Sequence, residues 1–458
     1  MENWGWLSRV GNDGLLDLLE ITDNEVNDDL EVYRLLEEEA VGDRNYSASM
    51  RYQNVTRTIR GRSILGFMAS RNLLPKYGFP TDVVPLKTDH IVLEVASKVQ
   101  LERDLRIAIA EYAPGSEVVA AKYIWTSGGL YKQPKKDWPL IHYAICSACG
   151  HFHRSTKEVG TTCEICHFSL HTSQHKYGTF IIPEFGFVAG DKLHKSGEAR
   201  PQKLYASRVY FAQYNPPHQE EGAISSSTPA LVEGLNNEEI QLSSYYSRFG
   251  KLAVVNAGPS GRGFRICHSC GFAEVAPLPP PIGARTRRTN QPTHKNPRTN
   301  RECGGSISNH HLGHEFLTDV LELRFTGKLG GSFDEKLLRS LVYALLEGAS
   351  RELGIRRDDL DGTLNKYASD YPEAIILFDN VPGGAGHVKR ISEELGQVLL
   401  GAYTRVNMEC CGPETSCYEC LQNYRNQTYH DMLSRGLARD YLGKVLTSLG
   451  LLEASKHG

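Results

Sequence analysis

Apolar residues recur along this chain at two different periods, and the periods change from segment to segment. Leu337, Leu338, Leu341, Leu345, Leu346, Ala349 and Leu353 are spaced to line one face of a helix. Just upstream, Leu321, Leu323 and Phe325 alternate with Glu322 and Arg324, the period of a half-buried strand. Ala374-Ile375-Ile376-Leu377-Phe378 is a continuous apolar run of strand length and reads as a buried strand. It leads into Asp379-Asn380-Val381-Pro382-Gly383-Gly384-Ala385-Gly386-His387, with a helix starting near Val388. In the first forty or so residues, Leu15, Leu16, Leu18, Leu19 and Ile21, then Leu30, Val32, Leu35 and Leu36, stand among many acids and predict two short amphipathic helices. Ile64 to Met68 with Leu73 and Leu74 predicts another helix, ended by Pro75. Ile91 to Tyr131 reads as strand, helix and strand, helical from Glu102 to Tyr112 and extended from Val118 to Trp125. Thr179 to Pro183 is a strand returning from an insertion in that sheet.

The mixture predicts an α/β fold of the α+β kind in several domains. The expected divisions are a helical region at 1–85, an α/β segment with an inserted ribbon at 86–200, a loop-rich segment at 201–315 and a C-terminal α/β domain at 316–458. Residues 215–230, rich in Pro, Ser and Glu, mark a loop or boundary. The longest apolar runs are only strand length, which gives no membrane span. A net charge of -3 excludes a uniformly basic nucleic-acid coat, yet leaves room for a local basic face.

All eleven cysteines fall into three groups, which scattered core cysteines would not do. Cys146-Ser-Ala-Cys149 and Cys163-Glu-Ile-Cys166, thirteen residues apart, have the spacing of a four-thiolate zinc ribbon. Cys267-His-Ser-Cys270 and Cys303 supply three thiolates of a second site. Its fourth ligand is expected to be His294, with His310, His311 and His314 as alternatives. In the third group, Cys410, Cys411, Cys417 and Cys420, either both adjacent cysteines serve or His430 replaces one. The expected cofactor is therefore structural Zn²⁺ at two to three sites. The start, Met1-Glu2-Asn3-Trp4, carries no apolar leader, so a reducing cytoplasmic location is expected rather than disulfides.

Between Pro277 and Arg301 lie six prolines and Arg285, Arg287, Arg288, Lys295, Arg298 and Arg301, without one acid. This stretch is the candidate contact to nucleic-acid phosphate, against the simpler reading of a solvated basic loop. The Gly-rich turn after Asp379 matches no phosphate-binding fingerprint. Asp359, Asp361 and Asp379 could hold Mg²⁺ for phosphodiester cleavage. The preferred reading is that Asp379 caps the turn and that no residue is catalytic. No Walker A lysine motif and no G-x-S-x-G elbow occurs, so this stretch is by itself neither an ordinary motor nor a serine hydrolase.

Leu312-Gly-His-Glu-Phe316, Leu346-Glu-Gly-Ala349, Asp359-Leu-Asp-Gly362, the Asp379 to Gly386 turn and Ser416-Cys-Tyr-Glu-Cys-Leu421 through Gln427 together resemble the MrfA-type zinc-binding (MZB) domain. Arg71 to Pro80 and Glu111 to Ser116 are similar to the same group, extending the likeness over most of residues 60–440. In that family the first two cysteines of the last site are usually separated by a residue, whereas Cys410 and Cys411 adjoin here. The resemblance implies a module found at the C-terminus of superfamily 2 helicases of DNA repair and phage defence, or standing alone as in the DrmB subunit of DISARM. By that analogy the chain is a non-motor accessory that binds a helicase and aids DNA recognition. A zinc-stabilised Mg²⁺-dependent nuclease and half of a split helicase are the alternatives.

Overall fold

The computed structural model describes residues 15–62, 64, 67–68, 82–164, 166–170, 176–195, 207–214, 230–278, 294–330, 334–365, 373–381 and 383–452. Its centre is the strand Ile307–Thr326. One edge pairs antiparallel with Gln241–Asn256. Phe264–Cys267 continues that edge along Ile307–His310, while Lys176–Ile181 in parallel and Ala374–Asp379 share the opposite edge. These belong to an eleven-stranded sheet, beside which lies a five-stranded sheet ordered Glu102–Asp104, Val83–Lys87, Phe187–Lys195, Tyr123–Leu130 and Glu117–Ala120.

The apolar run from Ala374 to Phe378 is fully buried because its alternate side chains enter two different cores. Ile375 and Leu377 meet the helices Glu335–Leu353, Leu395–Val406 and Arg435–Ser448, while Ala374, Ile376 and Phe378 pack with Phe316, Val320 and Ile109 on the opposite face. The period-two reading of Leu321 to Phe325 is seen in the strand, with one addition. Glu322, expected to face solvent, is also fully buried and is held by Arg324 Nε at 2.5 Å. Its face is covered by a second layer whose residues lie far away in sequence.

Several expectations change. The N-terminal stretch forms one 28-residue helix, Leu15–Gly42, rather than two. No Gly or Pro interrupts it before Gly42, and Arg34 bridges Glu31 and Glu38 along its surface. A second helix, Tyr46–Arg60, follows, with the Asn45 side chain accepting from Ala48 N–H. The segment from Ile91 begins in turns. The strand lies earlier, at Val83–Lys87, and the helix is only Leu105–Glu111, capped by Asp104. The insertion between Tyr123–Leu130 and Phe187–Lys195 does not extend their sheet. Its strands Leu140–Ile145, Phe152–Ser155 and Lys176–Ile181 join the larger one. The strand Ile307–Thr326 runs across the 315/316 division expected from sequence. Most of the Ile64 to Leu74 helix, the Arg71 to Pro80 motif and residues 215–229 lie outside the described residues.

Gly348 sits where the helices Glu335–Leu353 and Leu395–Val406 touch. A Cβ there would come within 2.4 Å of Val398 O and 2.5 Å of Ala402 N. Both atoms are backbone, so only separation of the helices relieves the clash. Gly348→Ala is expected to destabilise the fold by about 1–3 kcal/mol in denaturant melts, the range for overpacking. Gly42→Ala, which meets nothing within 4 Å, is expected to stay within about 0.5 kcal/mol of the parent. Equal effects at the two positions would refute this account of the crossing.

Candidate metal centres

Each cysteine group of the sequence is a spatial cluster. Cys146, Cys149, Cys163 and Cys166 form one, Cys267, Cys270, His294 and Cys303 a second, and Cys410, Cys411, Cys417 and Cys420 a third, with ligand atoms inside each lying within 4.8 Å of one another. Zinc–sulfur bonds of about 2.3 Å at tetrahedral angles separate neighbouring sulfurs by about 3.8 Å. The sulfurs here lie 3.6 Å apart for Cys146–Cys166, 3.5 Å for Cys149–Cys163, 3.9 Å for Cys267–Cys303 and 3.8 Å for Cys411–Cys420. A disulfide would need about 2.05 Å. The donor sets and spacings thus fit zinc.

The local backbone explains the spacing. In the first two clusters the chain makes the same knuckle three times: the Cys carbonyl accepts from the N–H four residues on, and the Cys N–H donates to the carbonyl five residues on. The first bond is Gly150 to Cys146, His167 to Cys163 and Gly271 to Cys267, at 2.8, 2.9 and 3.0 Å. The second joins Cys146 to His151, Cys163 to Phe168 and Cys267 to Phe272. The fold-back requires a left-handed residue, supplied by Gly150, His167 and Gly271 at φ 71°, 57° and 79°. Gly271 also carries the second knuckle onto the smaller sheet, where Leu130 N–H donates to its carbonyl at 2.8 Å.

His294 lies buried in the second cluster with Nε2 3.2 Å from Cys270 Sγ. It is held there by pairing of His294–Lys295 with Glu302–Cys303. Hydrogen bonding within this pair pushes the Cys267 pKa down and that of Cys270 up. The alternative histidines are placed elsewhere. His310 Nδ1 lies 2.7 Å from Thr179 Oγ1 and its Nε2 3.1 Å from His268, and burial pushes it down to about 3. His311 Nδ1 is 2.5 Å from the Tyr143 hydroxyl, and His314 stacks on Phe316. In the third cluster both adjacent cysteines come together with Cys417 and Cys420, whereas His430 Nε2 is 2.8 Å from Asn426 Oδ1. This cluster turns differently: Cys417 N–H donates to Cys420 Sγ at 3.2 Å. Its Cys420 is buried beside Leu421 in the core of the C-terminal layer.

Of the basic stretch, Arg285, Arg287 and Arg288 lie outside the described residues. Lys295 and Arg301 are exposed. Arg298 already pairs with Asp89 at 3.1 Å and stacks on the Tyr131 ring.

Asp379 is fully buried, and its carboxylate accepts N–H bonds from Ala385, His387 and Val388 at 2.6, 3.0 and 2.9 Å. It therefore ties the Gly-rich turn to the helix His387–Glu393. Among the described residues, Asp359, Asp361 and Asp379 do not form a cluster able to hold a metal. Sequence reasoning missed Asp319, whose carboxylate accepts from Gly386 N–H at 3.0 Å. A Cβ on Gly384 would meet that carboxylate at 2.2 Å. Burial first, then the charge of Asp379, pushes Asp319 up to about 6. Only its position opposite Asp379, sixty residues away, shows this pair.

Residues 341–421 match the model of the MrfA Zn-binding domain, a stretch that ends just past the third cysteine cluster. The chain is also 27% identical to the Druantia protein DruE of Escherichia coli (strain UMEA 4076-1), over 91% of its own length and 23% of the length of DruE. It therefore spans about a quarter of that relative. Two crystal structures of the DUF1998 helicase MrfA bound to DNA are similar at TM-scores of 0.34 and 0.24. The first has 11% identity and covers 80% of this chain and 33% of that one. The second, also with AMPPNP, has 13% identity and covers 45% and 23%. Among the described residues no helix is long and apolar enough to cross a membrane.

Metal analysis of the purified chain is expected to find about three tightly held zinc ions, all structural, because each set of four donors closes the coordination shell. A folded protein with nearly none would overturn this. Cys149→Ser should lower the melting temperature more than Cys411→Ser, since Cys149 is wholly buried and Cys411 is partly exposed.

Asp319 gives a pH test. Its pKa in the folded state is raised above the unfolded value, so its ionisation opposes folding; the penalty is absent below the unfolded pKa and complete above about 6. Asp319→Asn should therefore gain stability relative to the parent as pH rises from about 4 to 7, by on the order of 2–3 kcal/mol. A pH-independent difference in urea melts would refute it.

Proposed function

We propose that this chain is a zinc-built, non-motor module that works with a superfamily 2 helicase and helps it grip or recognise DNA, in anti-phage defence or in DNA repair. The observation that carries this reading is the coincidence of the MrfA Zn-binding domain match with a likeness to the Druantia protein DruE running over 91% of the chain. A stretch that corresponds to 23% of DruE and lacks a Walker A motif suits a part that leaves ATP hydrolysis to a motor elsewhere, in another subunit or in the rest of a longer polypeptide. Druantia supports the defence role. The narrower DISARM or DrmB-like assignment rests on the motif resemblance. A cytoplasmic location follows from the same reading, since reduced, metal-held thiols suit a reducing compartment.

The nucleic-acid contact is assigned to Arg285, Arg287, Arg288, Lys295, Arg298 and Arg301, acting on phosphate. Arg298 is the least available of these, being paired with Asp89. The nuclease reading is the weaker one, because the Asp379 carboxylate is already used by three backbone N–H groups.

The purified chain is expected to show no ATP hydrolysis and to bind DNA without sequence preference. Changing Arg285, Arg287 and Arg288 together to Ala should weaken binding to all sequences alike and flatten its salt dependence, by roughly one unit of slope for each phosphate left unneutralised. Strong intrinsic ATPase activity would overturn the accessory role. Unchanged affinity would remove this loop from the DNA interface. Mg²⁺-dependent cleavage abolished by Asp379→Ala would favour the nuclease.

A further inference from the structure

The first ribbon carries a second set of metal-binding groups beside its thiolates. His151 and His153 stand two residues apart around the start of the strand Phe152–Ser155, so both point to the same side of it. Glu164 follows Cys163 in the opposite knuckle. The ligand atoms of these three residues lie within 4.8 Å of one another. The two rings meet edge to face with centroids 4.7 Å apart. His153 is buried and its Nε2 lies 3.3 Å from Cys163 Sγ, so the two ligand sets share a wall.

The group opens into a cleft of about 270 Å³ between the ribbon and the helix Leu15–Gly42. Carboxylates dominate its lining: Glu25, Asp28, Asp29, Glu164 and Glu315, against the cations Arg154 and Lys251. Arg154 is itself divided between Asp29 at 3.2 Å and Glu315 at 3.3 Å. The cleft therefore has an excess of negative charge, and its two imidazoles and one carboxylate form a donor set suited to a first-row divalent cation.

We propose that His151, His153 and Glu164 bind a further divalent transition-metal ion, distinct from the ion of the neighbouring four-cysteine cluster and held more weakly. Three protein ligands leave coordination positions open toward the cleft, whereas four thiolates close theirs. Water or an anionic group could complete the shell from the cleft side. Neutral imidazole and carboxylate ligands should also exchange more readily than thiolates, which separates the two sites experimentally.

The test uses the full chain with zinc in its cysteine clusters, stripped of loosely held metal by a mild chelator and then titrated with Co²⁺ in equilibrium dialysis. The wild type is expected to take up one additional cobalt without sulfur-to-cobalt charge-transfer absorption. Cobalt that displaces zinc from cysteines shows that absorption and is counted apart. Glu164→Gln, at an exposed residue, and the double variant His151→Ala/Glu164→Gln should bind this cobalt at least about tenfold more weakly, since even outer-shell changes at metal sites cost 10- to 100-fold. Their cysteine-held zinc and melting temperature should match the wild type. If the double variant loses the ribbon's zinc, Glu164→Gln alone decides. No additional cobalt in the wild type, or equal uptake by wild type and Glu164→Gln, overturns the proposal. The readout is a difference between proteins, so it does not depend on how many cysteine clusters hold zinc.

Discussion

The pairing of the strand Ile307–Thr326 on both edges is the constraint on which the rest of this structure depends. One end carries the Phe264–Cys267 knuckle strand of the second cysteine cluster and, at His311 and Leu312, Lys176–Ile181 from the first ribbon, and the far half pairs with Ala374–Asp379 of the stretch that matches the MrfA Zn-binding domain. Three candidate metal centres separated by more than a hundred residues of chain are thereby fixed to one rigid element. Gln241–Asn256 and Phe264–Cys267 together fill one edge from end to end, so no long open edge remains there to attract another strand. Both faces must then be covered. The C-terminal helices cover one, and the layer containing Leu105–Glu111 covers the other.

Given that frame, thiolate clusters solve a local problem. The ribbon around Cys146 to Cys166 has its own small core of Ala144, Leu170 and the cysteines themselves. So little apolar area cannot hold the two knuckles together, and a metal cross-link would supply what burial does not. The third cluster differs because its Cys420 and Leu421 are part of a large helical core. There the backbone makes no repeated knuckle, and adjacent Cys410 and Cys411 are accommodated by a loop whose carbonyls are anchored by Arg435: its guanidinium donates to Val406 O at 2.9 Å and Cys411 O at 2.8 Å.

Much of this was legible in the sequence where the signal is local. The C-x-x-C pairs, the helix face from Leu337 to Leu353 and the buried run at Ala374 to Phe378 each depend on spacing within a few residues, and each has its counterpart in the structure. The resemblance to the MrfA Zn-binding domain likewise rested on local motifs between Leu312 and Gln427, of which residues 341–421 match the model of that domain. Long-range pairing was not legible. Nothing around Leu140 to Ile181 distinguishes a ribbon that extends its parent sheet from one that joins another, because either uses the same alternating strands. Glu322 looked like a solvent-facing residue for the same reason: the layer that buries it is distant in sequence.

The turn after Asp379 illustrates how such a residue can suggest chemistry and yet serve architecture. A carboxylate at a strand end before glycines fits a catalytic or cation-binding position equally well on spacing alone. Three backbone N–H bonds to Asp379 satisfy its charge, and a helix start then supplies favourable dipoles as well. Gly384 is required because the Asp319 carboxylate occupies the space a side chain would need. Two buried acids thus face one glycine turn; burial pushes both toward protonation, and the amide bonds to Asp379 oppose that push. When both acids ionise, their repulsion opposes the close approach that the glycines permit, a cost that the amide bonds to Asp379 offset.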